Sequence, residues 1–410
     1  MKIRRSSIFN PYNSYIFLVA CAISVIFIPD YLSPLIANIS KILLTLTMII
    51  SAIFYIKRGK VSKTFIGIIV FWALIIITTL CNDSRGWQSL FRAAFSSIQI
   101  CMTLENGFSV DRKKTLGVYS AVFVIIALLN SVTFFAFYND NWHYRGMYTD
   151  GRGDPNYYLL GQDNGTIFYT MPAVLLCAIC DLEKKHKISF FTIAATVVLL
   201  FSYLWISSGN GIAAYILLLA GILLVNTKHV KTIYEKLKIN RVIALSLLIF
   251  IFIVFMRTEN VITTTITQLL GKNLTFTGRT GIWDIVIDYI SNKPLFGYGF
   301  LDYETRNYMI PFGKAHNTFL QMIFNGGIAC LCTFLITIKN AYNDRKGSTG
   351  HLVKEKTLLI LYMLIIMIVG NFDFYIDHSL TFLPIILAGI YYTSGARAIS
   401  EGKRGDTVWQ

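Results

Sequence analysis

Val242-Ile-Ala-Leu-Ser-Leu-Leu-Ile-Phe-Ile-Phe-Ile-Val-Phe-Met256 is apolar except for Ser246, and it stops at Arg257. A second apolar run starts at Asn317 and continues to Ile338. Between them lies a loop of 59 residues rich in polar and aromatic side chains, 257–315, followed by His316. A helix of about 20 mostly apolar residues crosses roughly 30 Å of hydrocarbon. A helix also satisfies its own backbone there, and no period-two alternation competes with it. The pair of runs with a long wet insert is therefore read as two membrane helices joined by a loop. Loops of that length are functional or disordered, and the recurring Trp, Phe and Ile argue against disorder.

The same pattern extends over the whole chain. Of 410 residues, 55% are hydrophobic and only 14% charged, too little charge for a soluble protein of this size. Twelve apolar runs are read as spans: 15–28, 35–56, 65–81, 88–104, 116–138, 163–180, 188–206, 211–226, 242–256, 317–338, 357–370 and 379–393. The expected fold is all-α, one polytopic membrane bundle over 1–410 with about 12 transmembrane helices. Short helices are expected in the long extracytoplasmic loop 257–315 between spans 9 and 10. A second outside loop covers 139–162. The fourth run is the least apolar, since it contains Arg92 and several Ser, Gln and Thr residues.

The net charge of +15 follows from topology before it suggests nucleic acid. With the N-terminal side taken as cytoplasmic, the inside segments carry 26 of the 37 Lys and Arg residues. That bias puts both termini in the cytoplasm. No nucleic-acid motif accompanies the charge. No P-loop, dinucleotide fingerprint or Asp-x-Asp pair is present, which argues against nucleotide substrates. Cys177-Ala-Ile-Cys180 lies in an expected span without converging ligands, so it reads as packing and not as a metal site. The basic start leads into a span without a small-residue cleavage site, so no cleavable leader is expected.

The candidate chemistry is concentrated in the outside loops. Ile282, Ile285, Val286, Tyr289 and Ile290 recur at helical spacing, which predicts an amphipathic helix from about 280 to 291. Pro294, Gly297 and Gly299 terminate it. Arg279 then stands at a helix N-terminus, a place suited to a phosphate or diphosphate. The plainer reading is an interfacial arginine that snorkels to lipid headgroups. His316 precedes the tenth span, with Asn317 as its N-cap. The helix dipole there disfavours imidazolium and leaves a neutral ring able to take a proton. The alternative is a polar anchor. Asn317, Gln321 and Asn325 form a polar stripe at spacing four, which faces protein or a cavity and not lipid. Arg92 is a charge within a span, either functional or snorkelling. Arg145 and Arg152 lie among Trp142, Tyr144, Tyr148, Tyr157 and Tyr158, which suits either sugar stacking or an aromatic belt. Asp373, Asp377 and His378 in the last outside loop either assist an acceptor or cap two helices.

Arg279-x-x-x-Trp283, Pro294-Leu-Phe-Gly297-x-Gly299, His316-Asn317-x-Phe319-Leu320 and Gly326-Gly327-Ile328 together resemble the bacterial O-antigen ligase and polysaccharide polymerase superfamily. The match is specific over about 277–328; elsewhere it is one of architecture. The resemblance implies a metal-independent, inverting membrane glycosyltransferase with no cofactor. The donor is a glycan on undecaprenyl diphosphate, the acceptor a sugar hydroxyl, and the site lies at the outer face of the bacterial cytoplasmic membrane. Membrane lipids, a chain-length regulator and a flippase are the further partners to consider. Carried over by position, Arg279 and His316 are the catalytic pair. Arg279 binds the diphosphate, and His316 activates or positions the acceptor. Trp283, Asn317, Gln321, Arg92, Arg145 and Arg152 are the expected substrate contacts.

There is one departure. The superfamily's ligases, and many of its polymerases, have an Arg at the outer turn between spans seven and eight. Here the turn reads Ser207-Ser208-Gly209-Asn210-Gly211. That favours a repeat-unit polymerase for O-antigen, capsule or exopolysaccharide over a ligase acting on lipid A–core. A twelve-span transporter or lipid-linked glycan flippase is the reading from another class. It calls for related halves and midplane charges, which this sequence lacks.

Overall fold

The computed structural model describes residues 11–25, 27–28, 34–137, 157–256, 279–343, 352–373 and 379–392. The described residues are helical apart from short connections and one antiparallel pairing of Tyr157–Tyr158 with Gly161–Gln162. Each of the twelve apolar runs overlaps a helix. Among the described residues, five helices are long and apolar enough to cross a membrane alone: Asn38–Arg58, Lys63–Cys81, Arg112–Ala136, Asn164–Lys185 and Thr318–Ala341. A sixth arises if Gly209–Val225 and Val230–Lys236, bent by 117°, are one span. Ser14–Val25, Phe190–Trp205, Ile239–Phe255 and Leu380–Tyr392 are shorter apolar helices. Ile42, Leu46, Ile49 and Ile53 stay exposed along one stripe of Pro34–Arg58. An exposed apolar stripe of that kind belongs against lipid. The chain is an integral membrane protein.

The chain divides into two compact units. The first comprises Met1–Lys60 and Gln99–Ser208, the second Val61–Ile98 and Gly209–Gln410. In the first, buried hydroxyls pair between helices because hydrocarbon offers them no water. Tyr15 donates to Ser51 at 2.6 Å, and Tyr169 donates to Ser24 at 2.7 Å. Glu105 accepts from Tyr55 at 2.9 Å and from Arg58 at 3.0 Å. Cys177 and Cys180 are buried in Ile167–Lys185, and Cys177 contacts the Ser120 carbonyl.

The second unit is built around Thr318–Ala341, which packs on Lys63–Cys81. The long helix is broken at Gly327, whose φ of 66° and ψ of −173° are not helical. A break in a helix orphans backbone groups on both sides of it. The loop that follows Arg279–Asn292 satisfies them. Tyr298 and Gly299 donate their N–H groups to the Phe324 and Asn325 carbonyls, each at 2.8 Å. The N–H groups of Ile328 and Ala329 donate to the Pro294 and Leu295 carbonyls at 2.9 and 3.3 Å. Pro294-Leu-Phe-Gly-Tyr-Gly is thus spliced into the gap. Gly297 and Gly299 both have positive φ. A Cβ on Gly297 would strike the Phe324 carbonyl, so the turn needs glycine there. The 82–86 turn holds the far side of the loop. Gly86 donates to the Phe300 carbonyl at 3.0 Å, and Ser84 to the Tyr298 carbonyl at 2.7 Å.

Candidate functional site

All the described site residues below belong to the second unit. The helix Arg279–Asn292 carries Arg279 on its first described residue, with Ile282, Trp283 and Val286 buried on one face. The period-3.6 pattern made this helix legible, and Pro294 stops it. Trp283 is fully buried and donates its indole N–H to the Ala315 carbonyl at 2.9 Å. The N–H of Ala315 donates to the Gln321 side chain at 2.8 Å, and Gln321 donates onward to Asn325 at 3.0 Å. Both backbone groups of Ala315 are therefore pinned, one from each side. The next residue, His316, has φ +47°, a region that costs a non-glycine residue roughly 1–3 kcal/mol and is held only by its surroundings.

Asn317 caps Thr318–Ala341. Its side-chain oxygen accepts from Phe319 and Leu320 N–H at 3.0 and 3.1 Å, and its amide nitrogen donates to the Asn371 carbonyl at 3.0 Å. Thr318 binds the same segment, with its N–H to the Gly370 carbonyl at 2.7 Å and its hydroxyl to the Asp373 carbonyl at 3.0 Å. These bonds bring residues 370–373, at the end of Val353–Val369, beside His316. Arg279 closes the ring by donating to the Phe372 carbonyl.

At the centre lie three ionisable side chains. His316 Nδ1 is 3.9 Å from an Asp373 carboxylate oxygen, beyond hydrogen-bond reach. That buried nitrogen has no hydrogen-bond partner among the described residues. The other Asp373 oxygen accepts from Asn210 at 3.5 Å. Burial, then the charges of Arg279 and Lys314, push the His316 pKa down to about 3. The ring is neutral at pH 7. Burial also lowers the Arg279 pKa, and the Asp373 charge opposes that shift. Arginine begins so high that it stays cationic. The arrangement is a fixed guanidinium, a carboxylate beside it and a neutral imidazole with one unpaired, buried nitrogen. It can hold an anion and accept a proton.

The expected site residues divide into three groups. Arg279, Trp283, His316, Asn317 and Gln321 converge. Arg92 lies partly buried on Trp87–Val110, the helix that follows the 82–86 turn. Arg145 and Arg152 lie outside the described residues, as do Asp377 and His378. The neutrality expected of His316 is found, but burial and two cations cause it, where the sequence pointed to the helix dipole. Asn210 and Lys314 escaped the sequence reading, and Asp373 was only one of several polar residues in its loop. Asn210 and Asp373 meet across 163 residues and leave no spacing to read, whereas Lys314, two residues before His316, is a loop lysine without a motif.

Residues 194–335 match the family model described as O-Antigen ligase. The matched stretch includes Arg279, Trp283, His316, Asn317, Gln321 and the Gly326-Gly327 break, and it supports the resemblance to the O-antigen ligase and polymerase superfamily. No curated protein matches the chain.

Proposed function

We propose that this member of the O-antigen ligase and polymerase superfamily joins oligosaccharide repeat units carried on undecaprenyl diphosphate. The reading places catalysis at the outer face of the bacterial cytoplasmic membrane, with twelve spans and both termini cytoplasmic, as the Lys and Arg distribution requires. The observation that carries it is the convergence of Arg279 and neutral His316 on one junction. In the reaction the acceptor hydroxyl attacks the anomeric carbon of the donor and inverts it. Its proton passes to His316. The bond from the anomeric carbon to the diphosphate oxygen breaks with its electron pair, and Arg279 stabilises the charge that grows there. Neither step calls for a metal or cofactor.

A pKa of about 3 makes the resting imidazole a weak base. Two of its causes are the cations Arg279 and Lys314. A bound diphosphate offsets both charges, so donor binding raises the proton affinity of His316 toward its ordinary value. Burial, the largest cause, stays in place, so the rise is partial. Trp283, Asn317 and Gln321 are buried with their polar atoms engaged, so we assign them to positioning His316 and not to touching sugar.

The second reading, transfer of finished glycan to lipid A–core, uses the same pair. The description of the matched family favours it, and the arginine-free 207–211 turn favours polymerisation. Gel display of surface polysaccharide from cells separates them. Deletion of a polymerase leaves single repeats on the surface, whereas deletion of a ligase strands long chains on the carrier lipid. Arg279→Ala is expected to abolish polymer while the protein still inserts. Normal polymer length in that strain removes Arg279 from the mechanism.

A further inference from the structure

A diphosphate donor carries one negative charge on each phosphate and gains another as the glycosyl bond breaks. The ring of groups described above is close to neutral: Arg279 is offset by Asp373, and His316 is uncharged. A diphosphate therefore needs a further cation from this unit. Among the described residues of the loop, Lys293 is engaged by Asn82 and lies over the Tyr298 ring at 4.8 Å, and Arg306, packed near Gly313, is engaged by a partner of its own. Arg85 opens into a separate cavity of about 670 Å³, where Asp83, Asp302 and Glu304 supply carboxylates. Among the described residues, Lys314 has no hydrogen bond or ion pair with a carboxylate.

Lys314 is also well placed. It lies two residues before His316 with the buried Ala315 between them, and its charge acts on the His316 ring. Ala315 is fully buried, with both its backbone groups pinned by Trp283 and Gln321. Its neighbours Lys314 and His316 are each partly exposed. The fixed Ala315 thus stands between two side chains that each keep an exposed part. Lysine acts on phosphate as a flexible point charge, which suits a group that must follow charge as it moves to the leaving oxygen.

We propose that Lys314 is the second phosphate-binding cation of this site, pairing with the phosphate that Arg279 does not hold. The inference rests on the diphosphate-donor reading above. The residue is a new assignment, because the sequence pointed to Arg92, Arg145 and Arg152 for that task.

The test uses the full-length protein in lipid nanodiscs, with farnesyl diphosphate and farnesyl monophosphate as probes. Binding of each is measured by calorimetry for the wild type, Lys314→Met, Lys314→Arg and Arg279→Ala. The wild type is expected to prefer the diphosphate by at least about tenfold, equivalent to about 1.4 kcal/mol. Lys314→Met should weaken diphosphate binding by about tenfold and leave the monophosphate within about threefold, collapsing the preference. Lys314→Arg should restore it, which a merely structural role would not do. A Lys314→Met protein that keeps the wild-type preference overturns the assignment. If Arg279→Ala loses both probes in that case, the donor reading survives without Lys314. If neither substitution alters binding, the donor reading falls as well.

Discussion

Gly327→Ala tests whether the spliced junction holds the site together. Gly327 sits at φ 66° and ψ −173°, where an L-residue costs roughly 1–3 kcal/mol. An added Cβ would overlap the Leu295 carbonyl and the Phe296 nitrogen. Both are backbone atoms, so no side chain can swing away, and the 294–299 loop must move. That movement strains the four bonds from Tyr298, Gly299, Ile328 and Ala329. Losing two to four of them at about 1 kcal/mol each adds roughly 2–4 kcal/mol. The total is roughly 3–7 kcal/mol, a large part of a typical stability. Gly281→Ala is the control. It lies near the start of Arg279–Asn292 with nothing within 4 Å of a new Cβ, and helix propensity favours Ala by up to about 1 kcal/mol. Thermal unfolding of the purified protein in detergent, read beside glycan transfer in vitro, makes the comparison. Gly327→Ala should unfold roughly 10 °C below the wild type and lose transfer, whereas Gly281→Ala should melt with it or above it. Coincident melting and normal transfer in Gly327→Ala would refute the idea that this break is locked by the loop.

His316 supplies the pH prediction. Its folded pKa is pushed down to about 3, whereas an unfolded histidine titrates near 6.5. Between those values the unfolded chain binds the extra proton, so this contribution is complete above about pH 6.5 and is lost as pH falls toward 3. His316→Asn should flatten the dependence of melting temperature on pH in that window and lower transfer by about 10²–10⁴-fold; a slope equal to the wild type's would mean a solvated ring. Asn317→Ala removes the cap on Phe319 and Leu320 and the bond to Asn371. It should destabilise by about 1–3 kcal/mol and slow transfer by displacing His316; an unchanged melt and rate would make Asn317 dispensable.

The helical membrane class, the helix that begins the site and the Asn317 cap were all determined by the sequence alone. Each is local: apolar run length, a 3.6-residue period and one side chain reaching its own backbone. The twelve runs found their helices for the same reason. The tertiary structure alone decided why Gly326-Gly327 follows Pro294-Leu-Phe-Gly-Tyr-Gly, since the broken helix and the loop complete each other's hydrogen bonds. It also decided that Arg279 meets the Phe372 carbonyl across 93 residues, and that Asp373 and Lys314 flank the imidazole. The proton affinity of His316 is a property of that assembly. It depends on desolvation and on neighbouring charges, and those exist only once distant segments have packed around the ring.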